Sequence, residues 1–103
     1  MDAPFEFQFE WDSFKAKHNS KKHRITFERA ATVFLDPEML SAYDEEHSGG
    51  EERWITLGRD RTGTLLVVCH TYREQTAAMA RIRMISARKA TKNESKQYEG
   101  DER

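Results

Sequence analysis

The apolar run at residues 65–69 (LLVVC) limits the possible folds of this chain more than any other feature. An unbroken run of this length predicts a strand that is covered on both faces, because a strand with one wet face alternates apolar and polar side chains. The run is also far shorter than the roughly 20 apolar residues of a membrane-spanning helix. The sequence therefore predicts a sheet with a covered middle strand, and we expect the thiol of Cys69 to be buried in it.

The N-terminal third of the chain predicts one strand and two helices. Aromatic and polar residues alternate over residues 5–11, a period of two that is typical of a strand with one buried face. Asp12 can cap a basic helix over about residues 13–22, in which Phe14 is the only large apolar residue. Thr26 can cap a second helix that ends before a proline, and apolar residues recur along it at helical spacing. This stripe consists of Phe27, Ala30, Ala31, Phe34 and Leu35.

The remaining two thirds of the chain predict an antiparallel meander. Residues 38–52 are acidic and show no clear period, so we expect a loop there, with a short helical turn near Met39-Leu40. Three strands follow, and they are joined by a tight turn and by a short loop. The expected strands lie at about residues 53–59, 64–73 and 81–88, the turn at residues 60–63 and the loop around residues 74–79.

The last predicted element is a short helix that reaches about Tyr98, because Thr91 and Glu94 have the spacing of a capping box. The expected order is β-α-α-β-β-β-α, which is an α+β fold. We expect a four-stranded, mainly antiparallel sheet with the two N-terminal helices packed on it. No linker or repeat interrupts the pattern, so we also expect a single domain over residues 1–103, with frayed ends at about residues 1–4 and 100–103.

The net charge of −1 conceals an uneven distribution of charge. Residues 15–29 and residues 81–96 each carry six Lys or Arg residues and one Glu, whereas residues 36–52 carry seven carboxylates and no Lys or Arg. The two basic segments point to a polyanionic partner, because binding to phosphates needs a basic surface. No glycine-rich phosphate loop, cysteine pair or His-Glu-x-x-His motif occurs, so we expect no metal and no cofactor. The first residues lack the layout of a signal peptide, which favours the cytoplasm.

The last two predicted strands carry side chains that suit the cleavage of RNA. Strand parity places His70 and Tyr72 on one face of the middle strand, and Arg81 and Arg83 on one face of the next. Attack on a phosphate by the 2′-hydroxyl of RNA needs a base, an acid and cations, and His, Tyr and Arg supply these without a metal ion. Alternating arginines also fit the wet face of a strand, and His70 also fits a partly buried structural histidine.

The closing segment resembles a known family. Residues 82–91 (IRMISARKAT), followed by Glu94 and Tyr98, are similar to the closing signature of the BrnT toxins. The other matching segments are residues 9–12 (FEWD), 22–23 (KH), 30–34 (AATVF), 51–58 (EERWITLG) and 67–71 (VVCHT). The resemblance implies a RelE-like fold and a metal-independent endoribonuclease that inhibits translation. It also implies a BrnA-like antitoxin as partner, RNA as substrate, and contact with operator DNA only through the antitoxin.

The resemblance also implies functional residues. The candidate catalytic residues are His70, Arg83, Arg88, His23 and Glu52, and the candidate RNA-binding residues are Lys22, Arg53, Arg73, Lys89 and Tyr98. Of these, Lys89 is chosen because it lies where the chain leaves the predicted sheet, and the others match the family. We expect His70 to be the acid/base, because the pKa of histidine lies near physiological pH, with His23 as the alternative and Glu52 orienting one of the two. Arg83 and Arg88 would hold the scissile phosphate.

Two departures from the family pattern lie near these residues. Arg24 stands where the family usually has glycine, so the turn there must avoid a positive φ or bear its strain. The connection at residues 73–80 is longer and more apolar than usual, and Tyr98 also fits a role in packing the last helix. Two alternative functions need the same cations: an inactive antitoxin-binding module that acts in operon autoregulation, and an RNA-binding protein without catalysis.

Overall fold

The computed structural model describes residues 5–100. The strands are β1 (Glu6–Glu10), β2 (Leu40–Tyr43), β3 (Trp54–Arg59), β4 (Leu65–His70), β5 (Arg73–Thr76) and β6 (Met79–Lys89). The α-helices are α1 (Ser13–His23), α2 (Phe27–Ala31) and α3 (Lys92–Tyr98), and two 3-10 turns lie at Thr32–Leu35 and Glu45–His47. The α+β class is confirmed. No helix within residues 5–100 is long and apolar enough to cross a membrane. The expected frayed ends at residues 1–4 and 100–103 lie outside the described residues except for Gly100, whose N–H donates to the carbonyl of Gln97 at 3.3 Å.

A single six-stranded sheet organises the molecule around its longest strand, β6. The strands are ordered β1-β6-β4-β3-β2, and β5 pairs with the first half of β6 beside β4. β1 and β6 are parallel, and the other pairs are antiparallel. The expected four-stranded sheet is therefore wrong, because β2 and β5 were predicted as a loop with a helical turn and as a strand end with a loop. All side chains of these two short strands are exposed, so no alternation marks them in the sequence.

The main core lies between one face of the sheet and the segment from α2 to the first 3-10 turn. Phe34 stands in its centre, with its ring 5.6 Å from that of Phe7 and 5.5 Å from that of Phe9. The fully buried side chains beneath it include Phe27, Leu66, Val68, Ile82 and Met84. The middle strand β4 is covered as predicted over most of its length, although Cys69 is only half-buried.

The two predicted N-terminal helices begin after the expected caps, Asp12 and Thr26, but they do not match the structure in how they end and pack. The second is a five-residue α-helix, in which Phe27 and Ala30 are buried, and it continues as a 3-10 turn, in which Val33 and Phe34 are buried. Val33 therefore enters the core, and Leu35 is 79% exposed instead. The first helix is capped by Asp12 as predicted, but Phe14 is 72% exposed and does not hold the helix on the core.

The amide of Asn19 anchors α1 in place of an apolar side chain. The pairing of β1 with β6 stops at Glu10 and Arg83, which leaves the next part of that β6 edge without a neighbouring strand. There Asn19 accepts a hydrogen bond from the backbone N–H of Ala87 at 3.0 Å and donates to its carbonyl at 2.9 Å. Asn19 also donates to the carbonyl of Ile25 at 3.0 Å. One side chain thus replaces a strand and fixes α1 against β6.

Candidate functional site

A cleft of about 500 Å³ lies where the first half of β6 meets β5 and the loop that precedes β3. We call it the arginine cleft. Its charged and hydroxyl side chains include Glu51, Glu52, Tyr72, Arg73, Arg81 and Arg83. The structure therefore brings together three of the predicted site residues, Glu52, Arg73 and Arg83, and it adds Arg53 through an ion pair with Glu51 at 3.6 Å.

The pairing of β5 with β6 concentrates positive charge in the cleft. Alternation along β6 buries Ala80 and Ile82 and turns Arg81 and Arg83 to the opposite face. Arg73 on β5 lies directly across from Arg81 in the antiparallel register. Like charges at such positions destabilise a strand pair unless an anion lies between them. The arrangement is suited to binding phosphate, and Glu10 contacts Arg81 from the side at 3.8 Å.

The carboxylate of Glu51 occupies part of the cleft. It accepts a hydrogen bond from the guanidinium of Arg83, and this bond is the main reason why the pKa of Glu51 lies below its ordinary value. Glu51 is thus an anion at neutral pH, and it holds Arg83 and Arg53 close together. Glu52 is exposed and lines the same cleft. The cleft therefore offers both cations and carboxylates to a bound molecule.

His70 lies in the core and not in the arginine cleft. The side chain is buried, with 2% of its surface exposed, and its ring packs edge-on against Phe34 at 4.9 Å. Its Nδ1–H donates to the carbonyl of Thr71 at 2.8 Å, and its Nε2 accepts from the hydroxyl of Thr56 at 2.7 Å. Burial lowers the pKa of His70 below its ordinary value, so the ring is neutral at physiological pH. This geometry disfavours the predicted acid/base role.

Strand parity along β4 itself places His70 in the core, because Leu66, Val68 and His70 alternate along the strand and are all buried. The register shift between β4 and β6 comes from an extra residue on β6, since Cys69 pairs with Ser86 and His70 with Met84. Tyr72 lies beyond the end of β4 and is 37% exposed in the cleft, whereas His70 faces the core. The two residues therefore do not share a face, although Arg81 and Arg83 do.

Three other predicted residues lie at the opposite end of β6, near α3. Arg88 donates to both carboxylate oxygens of Glu94, at 3.0 and 2.9 Å, and this pair lowers the pKa of Glu94 to about 2. Tyr98 donates to the carboxylate of Asp36 at 2.5 Å, and Lys89 is exposed at the end of the strand. Arg88 is five residues from Arg83, or roughly 17 Å along a strand. Arg88 and Tyr98 thus hold α3 in place, away from the cleft.

The last two predicted residues line a second concave surface, between α1 and the middle of β6. It also measures about 500 Å³, and Lys22 and His23 lie in it beside Ile85 and Ser86. The candidates therefore fall into two adjoining surfaces and a set of structural residues. Within residues 5–100, no group of three or more His, Cys, Asp or Glu side chains is placed to hold a metal ion.

The predicted site residues did not include Tyr72, Arg81 or Glu51, although all three line the cleft. Strand parity had placed Arg81 on the same face of the last strand as Arg83, and the structure confirms this. Tyr72 could not be placed because β4 ends at His70, so strand parity does not extend to it. The position of Glu51 depends on the fold of an acidic loop without a period.

Comparisons with known proteins agree with this fold. The family described as "Ribonuclease toxin, BrnT, of type II toxin-antitoxin system" matches residues 11–94. A solved structure, the ribonuclease toxin BrnT of Brucella abortus, is similar with a TM-score of 0.55 and 18% sequence identity, over 85% of this chain and 99% of that one. No curated protein gives a significant match. Because the family match spans most of the sequence, this chain belongs to the BrnT family of ribonuclease toxins of type II toxin–antitoxin systems.

Proposed function

We propose that this chain is a metal-independent endoribonuclease that cleaves RNA in the arginine cleft. The observation that carries the proposal is the convergence of Arg73, Arg81 and Arg83 from two paired strands onto a surface that also holds carboxylates. Guanidinium groups bind phosphate through paired hydrogen bonds and stabilise the added negative charge of a phosphorane. Membership in a family of ribonuclease toxins supports RNA as the substrate.

The cleft supplies a base and an acid without the predicted histidine. In the proposed reaction, the carboxylate of Glu52 accepts the proton of the 2′-hydroxyl, and the 2′-oxygen forms a bond to the adjacent phosphorus. The bond from phosphorus to the 5′-oxygen then breaks, and the hydroxyl of Tyr72 donates its proton to that oxygen. The products are a 2′,3′-cyclic phosphate and a free 5′-hydroxyl. Arg83 and Arg81 neutralise the phosphorane during these steps.

The cellular context of the proposal follows from the family. A type II toxin has a protein antitoxin, and we propose a BrnA-like antitoxin that covers the cleft and carries the complex to operator DNA. Cleavage of RNA in the cytoplasm would inhibit translation. We further propose that the chain is one domain with a RelE-like fold. The contact between Glu51 and Arg83 favours a second candidate, an antitoxin-binding module whose cleft is closed by its own carboxylate.

The purified chain should cleave a single-stranded RNA in the presence of EDTA and leave 5′-hydroxyl ends. Arg83→Ala should lower the cleavage rate about 100-fold or more, because it removes a cation that contacts the transition state. Arg61→Ala is the matched control, since this exposed arginine lies in the turn between β3 and β4 and should leave the rate unchanged. If the folded wild-type chain cleaves no RNA, the antitoxin-binding module replaces the enzyme as the better account.

A further inference from the structure

The exposed side of α1 is a concentrated positive surface that the arginine cleft does not include. Five cations lie on or directly after this helix, and no Asp or Glu occurs between residues 13 and 27. We call it the α1 surface, and its cations are Lys15, Lys17, Lys21, Lys22 and Arg24. None of them forms an ion pair with a residue in the described part of the chain. Their charge is therefore free to meet an external anion.

An exposed aromatic ring stands in the middle of these cations. Phe14 is 72% exposed, and Lys17, His18 and Lys21 follow it at spacings of three, four and seven residues, on the same side of the helix. Phe14 and His18 line two adjoining concave surfaces, one of them shared with Lys22 and the other with Lys17 and Lys21. The two rings thus form a ridge with positive charge on both sides.

The backbone at the end of α1 supports a role for this charge. Arg24 has a φ of 61°, within the left-handed region that a glycine adopts without steric cost. It also lines one of the concave surfaces beside Phe14. The left-handed turn that ends α1 thus places Arg24 on the same surface as Phe14, at a cost in backbone strain that a glycine would not bear.

The α1 surface continues directly from the arginine cleft. Glu10, the last residue of β1, lines the cleft, and Asp12 and Phe14 line the surface that follows it. On β6, Arg83 belongs to the cleft, and Ile85 lines the α1 surface two residues later, roughly 7 Å along the strand. A chain molecule that leaves the cleft along β6 would therefore reach Phe14.

We propose that the α1 surface is a subsite for an unpaired RNA strand, in which a base stacks on Phe14 while Lys17, Lys21 and Arg24 bind the flanking phosphates. The inference rests on the proposed function because it takes RNA as the substrate. Aromatic rings among cations bind single strands through both the bases and the backbone. An acidic protein segment fits less well, since a protein interface needs an apolar centre and this surface offers one exposed apolar ring.

The test measures binding of fluorescently labelled, 2′-O-methylated RNA to the full-length chain by anisotropy, so that cleavage does not interfere. Phe14→Ala should weaken binding of a single strand by about tenfold and leave binding of a duplex unchanged, because paired bases cannot stack on the ring. Lys17→Gln with Lys21→Gln should lower affinity and reduce the slope of log affinity against log salt by about 1.4, or roughly 0.7 per lost phosphate contact.

Matched controls separate these effects from loss of folding or of general charge. Leu35→Ala removes another exposed apolar side chain, and Lys92→Gln with Lys96→Gln removes two exposed charges from α3. Both controls should bind the RNA as the wild type does. In the cleavage assay, Phe14→Ala should raise KM with little change in kcat. If the proposed function is wrong, the wild type will cleave no RNA, but its binding to the methylated RNA can still be measured.

Three outcomes would overturn the inference. Equal loss of single-strand and duplex binding in Phe14→Ala would exclude stacking. Unchanged RNA binding in both the Phe14 and the lysine variants would exclude the subsite. If those variants bind RNA normally but lose a purified acidic protein partner, the α1 surface is a protein interface.

Discussion

The side chain of Asn19 gives the sharpest test of how this small molecule is held together. It forms three hydrogen bonds of 2.9 to 3.0 Å with the backbone of Ile25 and Ala87, and 4% of its surface is exposed. Each bond contributes about 0.5–1.5 kcal/mol net, and Asn19→Ala would also leave the buried N–H of Ala87 without its partner. We therefore expect a loss of about 3 kcal/mol in the free energy of unfolding.

Urea denaturation followed by circular dichroism measures this loss, and for a chain of this size it corresponds to a shift of about 2 M in the midpoint. Asn19→Asp should be at least as destabilised, because it keeps the acceptor for Ala87 and turns a carboxylate towards two carbonyl oxygens. Lys17→Ala, an exposed change on the same helix, should stay within about 0.5 kcal/mol of the wild type. A loss below about 1 kcal/mol in Asn19→Ala would refute the idea that this amide anchors α1.

Two further predictions concern His70 and Arg24. Because the pKa of His70 is lowered by folding, the unfolded chain binds the proton more readily, and the wild type should lose stability as pH falls below about 6.5. The stability advantage of the wild type over His70→Gln, measured by urea denaturation, should therefore shrink between pH 8 and pH 5; a constant advantage would contradict the buried neutral ring. Arg24→Gly should raise the free energy of unfolding by about 1 kcal/mol, because glycine relieves the positive φ. Lower stability in that variant would show that Arg24 makes contacts worth more than the strain.

Much of the fold could be predicted because it depends on local chemistry. The alternation of aromatic residues marked β1, and Asp12, Thr26 and Thr91 each cap the helix that was expected to follow them. β2 could not be predicted, since its four side chains are exposed and show no alternation, and its pairing with β3 is a contact between distant segments. Likewise, the change from an α-helix to a 3-10 turn after Ala31 reversed the places of Val33 and Leu35.

Strand parity predicted part of the candidate site. Arg81 and Arg83 share a face because the first half of β6 is regular. His70 follows Leu66 and Val68 on the buried face of β4, whereas Tyr72 lies beyond the end of that strand, where parity no longer applies. Arg88 is of the same type as Arg83, but it lies at the opposite end of β6, where it binds Glu94 on the next helix. Residue types therefore indicate which chemistry is available, whereas pairing between distant segments decides which side chains come together.

The parallel pairing of β1 with β6 determines when the cleft can exist. Glu10 and Arg83 lie side by side although they come from opposite ends of the chain, and the ribosome delivers the first strand long before its partner. Pairings of this kind also form slowly, because distant segments must meet before any contact stabilises them. A chain in which β1 has not yet paired with β6 carries the charged residues but not the cleft that they form. Newly made molecules therefore lack the arginine cleft until the sheet has folded.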